Sequence, residues 1–117
     1  MKYVDGFVIP ILKKNLSAYR RMARQGGELW KKHGALEYRE CVAEDLRAPW
    51  ALPFPRLLKL KRGETVVFSW IVFKSRAHRD RVNANVMREA GGTMEGMPMP
   101  FDMKRMAYGG FATIVDK

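Results

Sequence analysis

The run Val66–Val67–Phe68–Ser69–Trp70–Ile71–Val72–Phe73 constrains this chain more than any other stretch. Its β-branched and aromatic residues read as a strand. Side chains alternate across a strand, so Val66, Phe68, Trp70 and Val72 point one way while Val67, Ile71 and Phe73 point the other. A strand apolar on both faces is buried on both. The rest of the chain has room for only two long helices, enough to cover one face of a small sheet. The second face needs a different cover, and a second copy of the same sheet is the economical one.

The neighbouring segments supply that sheet. Tyr3–Ile9 reads as a first strand ended by Pro10. Leu12, Leu16, Tyr19, Met22, Ala23, Leu29, Trp30 and His33 then follow a three-four spacing that marks one helical stripe. Asn15 or a neighbour can cap its start and Gly34 stops it. Gly26–Gly27 inside this helix costs about 1 kcal/mol per glycine relative to Ala, so a kink or the close approach of another backbone is expected there. Ala35–Ala43 alternates, with Leu36, Tyr38 and Val42 on one face and Glu37, Arg39 and Cys41 on the other. Within a connection punctuated by Pro49, Pro53 and Pro55, the alternation of Leu58 and Leu60 with Lys59 and Lys61 suggests a short edge strand. Ser75 caps a helix running to about Ala90, with His78, Val82 and Val86 along one line and Gly91–Gly92 at its end. Met97–Pro100 is extended, and Arg105–Val115 makes the last strand. The resulting fold is α+β: a single domain over residues 1–117 with a ferredoxin-like βαββαβ order, a four-stranded antiparallel sheet and both helices on one face.

At 117 residues and 47% hydrophobic content the chain can bury a modest core. No stretch approaches the ~20 apolar residues of a membrane span. Phe7–Leu12 is too short for a secretory signal, is broken by Pro10 and follows Asp5. The single cysteine, Cys41, excludes an intrachain disulfide, points to a reducing cytoplasm and is expected buried and inert. The net charge of +10 raises nucleic acid as a partner. Much of that charge falls on the two helices, as Arg20, Arg21, Arg24, Lys31 and Lys32 on one and Arg76, Arg79, Arg81 and Arg88 on the other. Two solvated helix faces account for it as well.

Strong catalytic signatures are absent. The chain has no phosphate-cradling glycine loop, no dinucleotide fingerprint and no metal-ligand spacing, so neither cofactor nor metal is expected. His78, on the inner line of the second helix, has the pKa range for proton transfer and could equally be held by one core hydrogen bond. His33, at a helix C-terminus, suits the helix dipole. The catalytic candidates are His78, Asp102 and Arg105, although the last two can simply pair with each other. Tyr38, Phe68, Trp70, His78, Asn83, Met106 and Tyr108 are the candidate ligand contacts, with Phe111 completing an aromatic set that could line a pocket between sheet and helices. Met94, Met97, Met99, Met103 and Met106 crowd the approach to the last strand, where flexible thioethers suit either an adaptable lid or irregular loop packing.

Tyr3–Val4–Asp5–Gly6–Phe7–Val8, the run Glu-Thr-Val-Val-Phe-Ser-Trp at Glu64–Trp70, and Met-Pro-Phe-Asp-Met-Lys-Arg-Met-Ala-Tyr-Gly-Gly-Phe at Met99–Phe111 together resemble the YbaA-like family. These are small bacterial proteins classed as a domain of unknown function. The match spans essentially the whole chain, with Met103 and Ala107 standing where Gly and Ile are expected. The resemblance implies a dimeric α/β barrel in which two sheets pack face to face. Its wider superfamily includes cofactor-free monooxygenases, haem-degrading enzymes, isomerases and plain ligand binders, so fold analogy gives no single reaction. The expected function is a homodimer, joined through the open sheet face, that binds a small apolar or aromatic molecule in a sheet-helix pocket with oxygenase-like or isomerase-like chemistry as one form of it. The alternative is RNA binding through the basic surface. RNA-recognition domains share the strand-helix order but carry a basic-Gly-aromatic signature on the third strand, whereas Tyr108–Gly109–Gly110–Phe111 lies on the fourth. Bases and a partner subunit would also compete for the same sheet face.

Overall fold

Strand β3 (Glu64–Phe73) is central, with a neighbour on each side. β1 (Tyr3–Leu12) runs antiparallel to it along its full length, from Tyr3 opposite Phe73 to Leu12 opposite Glu64. β2 (Glu37–Val42) flanks β3 on the other side and β4 (Ala107–Ala112) flanks β1, so the sheet order is β2-β3-β1-β4, antiparallel throughout. Among the described residues three α-helices complete the α+β fold: α1 (Leu16–Lys32), the single turn α2 (Phe54–Leu57) and α3 (Arg76–Met94). The computed structural model describes residues 1–94 and 98–117.

The register decides which residues meet. On the helix side, Val67, Ser69, Ile71 and Phe73 of β3 stand opposite Ile9, Phe7, Asp5 and Tyr3 of β1. Tyr19 and Ala23 of α1 close over Ile9, Ile11 and Val67. Val82 and Val86 of α3 close over Ile71 and Phe73, together with Ala35. Phe73 is 0% exposed, and complete burial of such a side chain contributes about 1.5–3 kcal/mol. The opposite face of β3 carries Val66, Phe68, Trp70 and Val72. Val66 and Val72 are buried there, but Phe68 remains 46% exposed and Phe111 of β4 59% exposed. Among the described residues no long helix covers this face, hereafter the helix-free face; the single turn α2 touches it where Phe54 meets Phe68 edge-on at 6.4 Å between ring centroids, and Phe68 meets Trp70 at 5.7 Å.

Several expectations need correction. β1 does not stop at Pro10, which pairs with Val66 while the strand continues to Leu12. β4 covers β1 only as far as Val8, so beyond that point a missing N–H on that side forfeits no ladder partner. Leu58–Lys61 forms no edge strand. Pro55 sits in the first turn of α2, where its fixed φ favours a helix, and Lys59 then takes a left-handed φ of 51°. Arg105 Nη2 lies 3.3 Å from both the Leu58 and Lys59 carbonyls that follow this turn. α3 passes through Gly91 and Gly92 to Met94 without a left-handed glycine at either position. Gly34 does end α1, with φ 112° and backbone bonds from Gly34 to Lys31 and from Ala35 to Trp30. Asn15 occupies the cap position of α1 but spends its amide on the Pro100 carbonyl, 3.1 Å away. The last strand begins at Ala107, after a 3₁₀ turn over Met103–Arg105. Cys41 is exposed because β2 is an edge strand and this residue lies on its helix-free face. Met97 of the Met-Pro segment lies outside the described residues.

Candidate functional site

Between the helix layer and the sheet lies a cavity of about 400 Å³. Its floor is the helix-facing side of the sheet, its roof is α1 with one turn of α3, and one flank is the segment carrying Met99, Phe101, Met103 and Met106. Two polar groups of side chains reach into it, one from the edge strand β2 and one from β1 with α3.

On β2, alternation brings Tyr38 and Glu40 to the same inner face. The Tyr38 hydroxyl donates to Glu40 Oε2 at 2.7 Å, and the hydroxyl of Tyr19, from α1, donates to Glu40 Oε1 at 2.7 Å. Ser69, the one polar residue on the inner face of β3 between Val67 and Phe73, is 4% exposed and lines the same cavity. Burial drives both tyrosine hydroxyls far above the ordinary phenol range, and the adjacent Glu40 charge adds to the effect. They therefore stay protonated donors. The paired glycines of α1 make room for Tyr38: a Cβ on Gly26 would stand 3.0 Å from its hydroxyl oxygen, and one on Gly27 3.0 Å from its ring. The close approach is thus a side chain and not the backbone expected at this pair.

In the second group Asp5, 1% exposed in the middle of the interior strand β1, faces α3. Arg79 Nη1 lies 2.6 Å from Asp5 Oδ1 and 2.9 Å from the Tyr108 hydroxyl. Its guanidinium lies over the Tyr3 ring at 4.9 Å, a cation–π contact. Asn83 bridges the network, its amide 3.4 Å from Asp5 Oδ2 and its oxygen accepting from Trp30 Nε1 at 2.9 Å. The bonds from Asp80 and Asp5 hold the Arg79 guanidinium firmly charged.

The residues singled out in the sequence are divided by this geometry. Tyr38, Asn83, Met106 and Tyr108 line the cavity together. Trp70 contributes to the lining while its ring rests against Phe68, and Phe68 and Phe111 lie on the helix-free face. His78 stands outside the cavity at the first turn of α3, where its Nδ1 accepts from the Lys74 N–H at 3.0 Å and its ring packs edge-on against Phe73. Burial, then the charges of Lys74 and Arg81, lowers its pKa. Asp102 and Arg105 do not pair side chain to side chain. Asp102 caps the 3₁₀ turn through the Lys104 N–H at 2.9 Å, and Arg105 clasps Glu64 through both nitrogens at 2.6 and 3.1 Å. Neither lines the cavity. Among the described residues no cluster of His, Cys, Asp and Glu could hold a metal ion.

Asp5, Glu40, Tyr19, Ser69, Arg79 and Trp30 were not among the candidates. Two of them carry a signal. Asp5 is a carboxylate at a position where period two demands a buried side chain, between Tyr3 and Phe7. Glu40 falls on the face defined by Tyr38 and Val42. Buried carboxylates in such places require partners, which nominates Arg79 and the tyrosines.

Known proteins place the chain as follows. It is 43% identical over 117 residues to "Uncharacterized protein YbaA" of Escherichia coli (strain K12), covering 100% of both chains. The protein of the same description from Shigella flexneri matches with the same identity and coverage. Among solved structures, "De novo designed protein Foldit4" aligns with a TM-score of 0.47 at 11% identity, covering 97% of this chain and 99% of the other. Residues 2–103 match the family model described as "Protein of unknown function (DUF1428)", and the chain belongs to that family.

Proposed function

We propose that this protein is a homodimeric, ferredoxin-like α/β-barrel subunit that binds a small apolar or aromatic molecule between its sheet and helices. The observation that carries this reading is the cavity itself. At about 400 Å³ it falls in the range of small-molecule sites, and it joins aromatic and thioether walls to a few convergent polar groups. Tyr38, Asn83, Met106 and Tyr108 are its proposed contacts, with Glu40, Tyr19 and Trp30 added. His78, Asp102 and Arg105, engaged elsewhere, are not retained as catalytic residues of this site. The strand order β2-β3-β1-β4 supports the ferredoxin-like description, and the uncovered aromatic residues on the helix-free face support pairing of two sheets. A free, exposed Cys41 supports a reducing, cytoplasmic location.

RNA binding is the competing reading, favoured by the net charge of +10 and by Phe68, Trp70 and Phe111 on the helix-free sheet face. Native mass spectrometry of the freshly purified protein separates the two. A dimer carrying a stoichiometric small molecule is expected. A monomer, or a chain retaining oligonucleotide, would replace this reading with the RNA one.

A further inference from the structure

Resting on the ligand-pocket reading, the charge balance of the cavity narrows the class of molecule it accepts. Strands β1 and β2 each contribute a carboxylate, but only one is neutralised. Asp5 is matched by Arg79 at 2.6 Å. Glu40 is not matched: among the described residues its carboxylate has no Lys, Arg or His within ion-pair distance, and its hydrogen bonds come from two neutral phenols. The neighbouring Arg39 also contributes to the lining, but it lies on the opposite strand face, its side chain 58% exposed and turned to Glu37 at 4.0 Å. A half-buried carboxylate without a countercharge is costly. It is stranger still in a chain with 22 Lys and Arg against 12 Asp and Glu, where a basic partner would be the easiest group to supply.

The surroundings are those that favour a cation. A carboxylate offers about four lone-pair positions, and Tyr19 and Tyr38 occupy two. Seven aromatic residues line this one cavity, Tyr19, Trp30, Tyr38 and Tyr108 among them. Aromatic faces attract ammonium groups electrostatically, most strongly once water is displaced. Methionines 22, 87, 99, 103 and 106 fill the remaining wall with polarizable, adaptable thioethers. The Gly26–Gly27 pair, unfavourable in a helix, is what lets Tyr38 hold Glu40 at the cavity edge.

We infer that the pocket binds an organic cation, a primary or substituted ammonium on an aromatic or aliphatic body, with Glu40 as its countercharge. The body occupies the aromatic chamber and the ammonium fills the free lone pairs of Glu40.

Calorimetric titration of the full-length protein at pH 7 with three probes of one shape tests this: 2-phenylethylammonium, 2-phenylethanol and 3-phenylpropionate. The ammonium is expected to bind at least about tenfold more tightly than the alcohol, and the propionate most weakly. Glu40→Gln, which keeps an acceptor for Tyr19, should bring the ammonium to the level of the alcohol in that same variant. Equal binding of alcohol and ammonium to the unmodified protein, or a cation preference that survives in folded Glu40→Gln, overturns the charge inference and leaves the pocket standing. Binding of none of the three overturns the pocket reading and this inference together. The charge series on the unmodified protein decides even where the variant does not fold.

Discussion

Gly27 stands inside α1, where alanine would ordinarily add about 1 kcal/mol of helix stability. A Cβ there would press on the Tyr38 ring at 3.0 and 3.1 Å, and that ring is tethered through its hydroxyl to Glu40 and flanked by Trp30. Gly27→Ala is therefore expected to lower stability by about 1 kcal/mol in urea unfolding. In a Tyr38→Ala background the same change should raise it by a similar amount, because only the propensity term is left. Stabilisation in both backgrounds would mean that the glycines are not there for Tyr38. The Asp5–Arg79 pair is a sharper case. Arg79→Met leaves a carboxylate that is 1% exposed without its cation, a loss of about 3–5 kcal/mol, whereas Asp5→Asn combined with Arg79→Met should recover much of it. Equal denaturation midpoints for the single and double variants would contradict that account. Single residues of this kind were poorly legible in the sequence. Asp5 reads as a charge ahead of an apolar run and Glu40 as a break in its strand face, because a pattern of apolar positions registers a buried carboxylate as an interruption until its partner, 74 residues away for Asp5, is in place.

The first turn of α3 shows what an element adds to its residues. Ser75 accepts from the His78 N–H at 3.1 Å, the cap expected from its position, and His78 in turn accepts from Lys74. Burial, then the charges of Lys74 and Arg81, disfavours a protonated His78, so its pKa in the folded chain lies below its ordinary value. The unfolded chain then binds more protons in that interval, and stability must rise with pH across it. The contribution is complete above about pH 6.5 and is lost as pH falls through that value toward the lowered folded pKa. A melting-temperature series from pH 5 to pH 8 should slope upward, and His78→Gln should flatten it. An unchanged slope in the variant would assign the effect to another group. Elements with strong local chemistry were legible: β3 from its two apolar faces, the end of α1 from Gly34, the start of α3 from Ser75. The misread ones turn on distant contacts. Arg105 reaches back to the carbonyls after α2, and Asn15 surrenders its cap for Pro100, both over separations that periodicity does not see.

The whole chain measures 39 × 38 × 20 Å, and its shortest extent accommodates one helix layer on one sheet. The helix-free face of that sheet carries Val4, Val8, Phe68, Trp70 and Phe111, the last lying over Gly6 and Gly109, where an added Cβ would meet its ring at 3.3 and 3.2 Å. Two glycines thus let an aromatic ring lie flat on the face instead of standing away from it, which suits a second layer packed on top. A sheet-on-sheet contact at about 10 Å, burying roughly 800 Å² from each partner, would cover these side chains. Phe68 is half exposed in the single chain, so Phe68→Asp leaves the core beneath the helices intact while placing a charge at the centre of the proposed interface. The unmodified protein is expected to sediment at twice 13.5 kDa and the folded variant at 13.5 kDa. A monomeric unmodified protein would return the aromatic face to other partners. A variant that stays dimeric would move the contact to another surface, most directly to the open edges of β2 and β4, where unpaired strand backbone is the remaining means of joining two copies.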